Sequence, residues 1–217
     1  MQGDLAALEA AIGHSFRDRD LLERALTHKS HAHEQNGDSS GAPRDPSGDN
    51  EQLEFLGDAV LGFVASEYLV RRNPEAPEGR LSKLKAHLVS AAHLHEAAQQ
   101  LDLGSYLFLG RGEEMSGGRE KKALLADALE AVIAAIYLDA GLAPSRTFIE
   151  EHVLSLFDES GEGVPSAATD HKSALQEMAQ ALKLPPPRYM IVGEDGPEHS
   201  KTFTVEVRVG KIGRAHV

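Results

Sequence analysis

Five carboxylates sit at helical spacing in two separate stretches of this chain. Glu51, Glu54 and Asp58 belong to Asn50-Glu51-Gln52-Leu53-Glu54-Phe55-Leu56-Gly57-Asp58-Ala59-Val60-Leu61. Asp127 and Glu130 belong to Ala123-Leu124-Leu125-Ala126-Asp127-Ala128-Leu129-Glu130-Ala131-Val132-Ile133. Residues three, four and seven apart share one helix face. The first three acids therefore form a stripe, which borders an apolar stripe of Leu53, Leu56, Val60 and Val64. Glu54 and Asp58 repel each other at i,i+4, so something positive is expected to offset them. The ordinary reading of such a stripe is a solvated acidic face. Two features favour another reading: these acids flank a core stripe instead of opposing it, and the second helix is otherwise almost wholly apolar. A carboxylate there needs a partner or a metal, because desolvating it alone is costly. Two helices that each offer two acids, Glu54 with Asp58 and Asp127 with Glu130, make an oxygen-rich site suited to Mg²⁺. A pair of such ions about 4 Å apart can activate a water and stabilise a leaving oxygen in phosphodiester cleavage.

The run from Asn50 to Leu61 resembles the signature of the bacterial ribonuclease III family almost throughout. Leu21-Leu22-Glu23-Arg24-Ala25-Leu26-Thr27-His28-Lys29-Ser30 resembles the same family, as does Ser116-Gly117-Gly118-Arg119-Glu120-Lys121-Lys122. The resemblance implies a metal-dependent endonuclease on double-stranded RNA, with Glu54, Asp58, Asp127 and Glu130 at Mg²⁺ (Mn²⁺ a substitute) and Asp58 and Glu130 as catalytic residues. It implies a two-metal hydrolysis leaving 5′ phosphates and 3′ hydroxyls, and a role in processing ribosomal and messenger RNA precursors. It adds Glu51 and Glu78 as supporting acids and Arg119 and Lys121 as RNA contacts. It also implies a homodimer in which Phe55 inserts into the partner subunit. For Glu78, a simple capping acid at a helix N-terminus is the plain alternative. Lys83, Lys85 and His87 read either as a solvated face or as phosphate contacts. His28, His31 and His33 read as structural residues, with Thr27, His28 and Ser30 holding helix ends and neighbouring helices together.

The elements that must position these groups follow from punctuation and periodicity. Residues 4–12 read as a helix stopped by Gly13, and 21–30 as the next. Gln35 to Asp49 is rich in Gly, Ser, Pro and Asp without periodicity and reads as a flexible loop. A long helix over 50–72 ends at Asn73-Pro74. Its Gly57 and Gly62 are poor helix formers, and their expected use is close approach of another helix, with the Asp127/Glu130 helix as the candidate. Further helices are expected from about 80, over 91–101, up to Ala140 with Gly141 as the stop, and over 144–158. Residues 103–118 are largely loop.

Composition bounds the rest. The 217 residues include no cysteine, which excludes disulfides and thiolate metal sites and suits a reducing cytoplasm. The N-terminus lacks the features of a signal peptide. No apolar run is long enough to span a bilayer, so no membrane partner is expected. The net charge of −12 argues superficially against nucleic acid. Its distribution is uneven: residues 1–169 carry 15 Lys/Arg against 28 Asp/Glu, and 170–217 carry 7 against 6. An acidic catalytic domain can bind a polyanion when cations and local basic clusters screen it.

The expected fold class is mainly α: an all-helical endonuclease domain over 1–160, a linker over 161–169, and a small α+β domain over 170–217. Asp170 to Leu182 reads as an amphipathic helix with Ala174, Leu175, Met178, Ala179 and Leu182 on one side. Arg188–Gly193 and Thr202–Val209 read as strands. Helix, strand, strand resembles the opening of a double-stranded-RNA-binding domain (α-β-β-β-α), a module that reads A-form shape and 2′-hydroxyls. The resemblance makes Gln176, Glu177, Gly196, Pro197 and His199 RNA contacts. The pattern is incomplete: the third strand and closing helix are expected to be missing, with residues 211–217 a non-native tail. Two other readings compete. A non-catalytic RNA-binding relative is expected to have lost one of the central acids. A di-iron bundle uses Glu-x-x-His on two helices, a pattern this chain lacks.

Overall fold

A computed structural model describes residues 4–35, 48–157, 171–196, 201–210 and 212–216. The chain divides into two compact units, Met1–Asp158 and Glu159–Val217.

The first unit is helical. Helices α1 (Leu5–Ile12), α2 (Arg19–Ala25) and α3 (Lys29–Gln35) precede the long α4 (Glu51–Arg72). There follow α5 (Glu78–Leu88), α6 (Ala91–Gln100), the one-turn α7 (Arg111–Met115), the long α8 (Lys122–Ala140) and α9 (Leu142–His152). Helix α8 is the spine of the core. Leu125, Leu129, Val132, Ile133 and Ile136 are buried along it, and Leu53, Leu61 and Val64 of α4 are buried in the same unit. That burial supplies the main stabilising term.

Glycine decides how close α4 and α8 come. A Cβ built on Gly57 would lie 1.8 Å from the Glu130 carbonyl oxygen, so no larger residue fits. The expectation for Gly57 therefore holds. Gly62 differs: its space is taken by the side chain of Lys85 on α5, not by α8.

The expected helix over 21–30 is two helices. Thr27 makes a bridge to Phe108, and the His28 N–H donates to the Phe108 carbonyl at 3.0 Å. The Thr27 carbonyl accepts from the Asn50 N–H at 3.0 Å. These non-local backbone bonds outweigh local helical preference and redirect the chain. The structural reading of this segment stands, since Thr27 Oγ1 donates to the Glu23 carbonyl, His28 Nδ1 meets Ser30 Oγ at 2.8 Å, and Ser30 Oγ accepts from the Gly110 N–H. The 103–118 stretch holds two turns of 3-10 or α structure, at Leu103–Tyr106 and Arg111–Met115. The last expected helix stops at His152, and a 3-10 turn, Leu154–Leu156, follows it.

A buried acid anchors the far end of α8. Asp139 accepts from the backbone N–H groups of Arg17 and Asp18 at 3.1 and 3.0 Å and pairs with His14 Nε2 at 2.9 Å. The α1–α2 connection is thereby fastened to α8.

The second unit contains α10 (His171–Ala181), β1 (Arg188–Asp195), β2 (Thr202–Val209) and β3 (Ile212–His216). The strands form an antiparallel sheet in the order β1-β2-β3, with Ile191 opposite Val205 and Arg208 opposite Arg214. The expected absence of a third strand is corrected: residues 212–216 complete the ladder on β2. An edge strand offers unpaired backbone groups that almost any extended segment can satisfy, which is why this strand was not legible from side chains. On α10, Ala179 is buried, whereas Met178 and Leu182 remain exposed. On the strands Met190, Ile191, Val192 and Phe203 are exposed too. The expected loop 35–49 and linker 161–169 fall almost wholly outside the described residues.

Candidate active site

The contact between α4 and α8 at Gly57 brings the two acidic pairs together. Carboxylate oxygens of Glu54, Asp127 and Glu130 all lie within 4.8 Å of one another, and the three side chains are half-buried. Asp58, one turn beyond Glu54, is exposed, and its charge acts on Glu130. Among the described residues no other group of three or more potential metal ligands comes this close.

The electrostatics are those of crowded anions losing solvent. Burial, reinforced by Asp58, Glu54 and Asp127, pushes the Glu130 carboxyl up to about 8. Burial also raises Glu54, with Asp127, Glu51 and Asp58 adding to the effect and Lys29 opposing it. Asp127 is raised by burial and held back by His28 and Lys29. A set of hard oxygen donors that resists ionising together is one a divalent cation would stabilise. On the donor chemistry and the spacing, the residues fit such an ion.

The other sequence-derived residues fall around this centre unevenly. Glu51 opens α4 and accepts from Lys29 Nζ at 3.1 Å. Glu78 opens α5, is exposed, and accepts from Ser82 Oγ at 2.6 Å, as a helix-start acid does. Phe55 is 82% exposed on α4. Arg119 and Lys121 are engaged within the chain. Arg119 bonds Glu114 and the Gly104 carbonyl, each at 2.7 Å. Lys121 pairs with Glu113 and donates to Ser116 Oγ at 2.8 Å. Those bonds hold Glu113 and Glu114 below the usual carboxylate range. In the second unit Gln176 is exposed on α10, Glu177 lies on the same helix, and Gly196 follows β1 with φ 94°. Pro197 and His199 lie outside the described residues.

Two cations lie near the acids: Lys85, which the sequence reading already offers as a solvated residue or a phosphate contact, and Lys29, which it does not single out. Lys29 reaches Glu51 from the start of α3. Lys85 lies against Gly62, one turn past Asp58, its Nζ 3.5 Å from where a Cβ would be. For Lys85 the signal was present, since Gly62 on the acidic stripe leaves room for a long side chain. For Lys29 it was not, because the pairing depends on the non-local Thr27–Asn50 bond.

Comparison with known proteins places this geometry. A ribonuclease-III-like family model matches residues 18–156, and a double-stranded-RNA-binding motif matches residues 171–215. This chain belongs to the ribonuclease III family. It is 60% identical over 216 residues to ribonuclease 3 of Solibacter usitatus, covering 97% of this chain and 79% of that protein. It is 42% identical over 208 residues to ribonuclease 3 of Caldanaerobacter subterraneus, covering 96% and 87%. Among solved structures, the nuclease domain of ribonuclease III from Campylobacter jejuni is similar with a TM-score of 0.63 and 40% identity. That match covers 71% of this chain and 99% of that one. A ribonuclease III with this pairing of domains is an endoribonuclease of double-stranded RNA. No helix among the described residues is long and apolar enough to cross a membrane.

Proposed function

We propose that this ribonuclease III hydrolyses phosphodiesters in both strands of an RNA duplex with the aid of two divalent cations, Mg²⁺ in the first instance and Mn²⁺ as a substitute. The observation that carries this reading is the convergence of Glu54, Asp127 and Glu130 within 4.8 Å, with Asp58 on the same flank. Those four residues would hold the ions. Divalent cations bound there supply an activated water and neutralise charge at the departing 3′ oxygen, so the products carry 5′ phosphates and 3′ hydroxyls.

The chain's own groups divide the remaining work. Glu51 and Glu78 would support the metal set. Lys85, which lies against Gly62 one turn past Asp58, would meet a phosphate oxygen. Arg119 and Lys121 would exchange their Glu114 and Glu113 partners for RNA phosphates. Residues 170–217 would form the RNA-binding domain, with Gln176, Glu177, Gly196, Pro197 and His199 as RNA contacts, and such a domain reads shape and 2′-hydroxyls. A homodimer supplies one centre per strand. The exposure of Phe55 supports this, since a large apolar side chain exposed on the acidic helix is a liability in a monomer. Precursors of ribosomal and messenger RNA in the cytoplasm are the proposed substrates.

The test is cleavage of a long perfect duplex with Mg²⁺, with Ca²⁺ and with EDTA, followed by end-group analysis. Asp58→Asn and Glu130→Ala are expected to abolish cleavage while leaving folding and dimerisation intact. Undiminished Mg²⁺-dependent cleavage in both variants overturns the assignment.

A further inference from the structure

We propose that Lys29 is a positioning residue that acts as a resident counter-cation for the acidic cluster. On this view it keeps Glu51 docked at the edge of the site when no metal is bound and so sets how much divalent cation the site requires. The inference rests on the metal-site reading above.

The backbone around Lys29 is fixed from two sides. The Thr27 carbonyl accepts from the Asn50 N–H, and the His28 N–H donates to the Phe108 carbonyl, both at 3.0 Å. Lys29 is therefore held beside the first turn of α4, and its Nζ meets Glu51 Oε1 at 3.1 Å. The pair links α3 to α4. The charge reaches beyond Glu51. It also falls on Glu54 of α4 and Asp127 of α8, the two helices that the close contact at Gly57 brings together. One ammonium thus acts on three carboxylates from two helices. The Lys29 side chain is half-exposed, at 52%, so its effect is partly screened and largest at low salt.

Two consequences follow from electrostatics alone. Without metal, Lys29 relieves part of the repulsion among the acids, which favours the folded state. With metal, the same positive charge opposes the incoming cation. Removing it should destabilise the apo protein and tighten metal binding, and saturating metal should erase the difference in stability. A residue that served packing alone would weaken both states equally.

The experiment uses the full chain, with Lys29→Gln and the charge-conserving Lys29→Arg. Melting temperature is measured at low ionic strength in EDTA and in saturating Mg²⁺, and Mn²⁺ binding is measured directly by electron paramagnetic resonance of the free ion. For Lys29→Gln the expected result is a lower melting temperature in EDTA, a gap that closes in Mg²⁺, and Mn²⁺ binding tightened about fivefold. That is the scale for one partly screened unit charge acting on a divalent ion. Lys29→Arg should restore both values. Equal destabilisation with and without Mg²⁺, or Mn²⁺ binding unchanged or weakened in Lys29→Gln, overturns the proposal. If the parent protein itself shows neither Mn²⁺ binding nor a Mg²⁺-dependent melting shift, the metal-site reading fails first and this inference falls with it.

Discussion

Replacing Gly57 by Ala tests the link between packing and chemistry most directly. In an isolated helix the change is favourable by about 1 kcal/mol, because glycine is a poor helix former. Here the new methyl would lie 1.8 Å from the Glu130 carbonyl oxygen, where ordinary contact begins at 3.4 Å. The helices must therefore part locally by about 1.6 Å, and the blocking atom is backbone, which cannot swing aside. Over-packing of this kind costs about 1–3 kcal/mol, and a backbone obstacle belongs at the upper end. After the gain in helix propensity, the net loss is about 2 kcal/mol, or a melting temperature lower by roughly 4–8 °C for a unit of this size. Activity should suffer more than stability. Glu130 sits on the residue being pushed, and a misplacement of about 1 Å can cost on the order of 10²-fold in rate. The assay pairs thermal melts with initial rates of duplex cleavage at saturating Mg²⁺. Gly112→Ala serves as the control, since a Cβ there meets nothing within 4 Å. A Gly57→Ala protein whose melting point and rate match the parent's would refute the reasoning.

Two further outcomes follow from the buried acids. Glu130 holds its proton up to about 8 in the folded chain, against an ordinary value of 4.5, so the unfolded chain binds fewer protons between those limits. Stability in EDTA should fall as pH rises through that window and level off above it. Glu130→Gln should remove that slope, and a parent melting curve no steeper than the variant's between pH 5 and 8 would contradict this. Asp139→Ala leaves two backbone N–H groups and His14 without their acceptor and should cost about 2–3 kcal/mol. Burial alone would raise the Asp139 carboxyl, but bonds from Asp18, His14 and Arg17 hold it below the usual range. Its contribution is therefore present above the unfolded value and lost as pH falls through the folded one. Chemical denaturation should show the variant's deficit at neutral pH and its narrowing in acid.

The parts of this site that could be read from sequence are those whose signal is local. Glu54 and Asp58, and likewise Asp127 and Glu130, announce a shared face by spacing. Gly57 announces a close neighbour, because a glycine inside an apolar helix needs a reason. What escaped detection depends on bonds between residues far apart in the chain. The break at Thr27 follows from Phe108 and Asn50, not from its own neighbours. The anchoring role of Asp139 needs the N–H groups of Arg17 and Asp18, more than a hundred residues earlier. Gly62 was assigned the wrong neighbour because helical spacing gives a direction but not which element lies there. In the second unit, periodicity found β2, whereas β3 exists through backbone pairing that its side chains do not advertise.

The 3.0 Å bond from the Asn50 N–H to the Thr27 carbonyl also bears on how related enzymes can diverge. It acts as a clasp, fastening residue 27 to residue 50 whatever the number of residues between them. Segment length between α3 and α4 can then change with a penalty that grows only logarithmically, about 0.6 kcal/mol per doubling. Insertions or deletions there should spare the register of Glu54 against Asp127, leaving evolution a free edge beside a fixed centre.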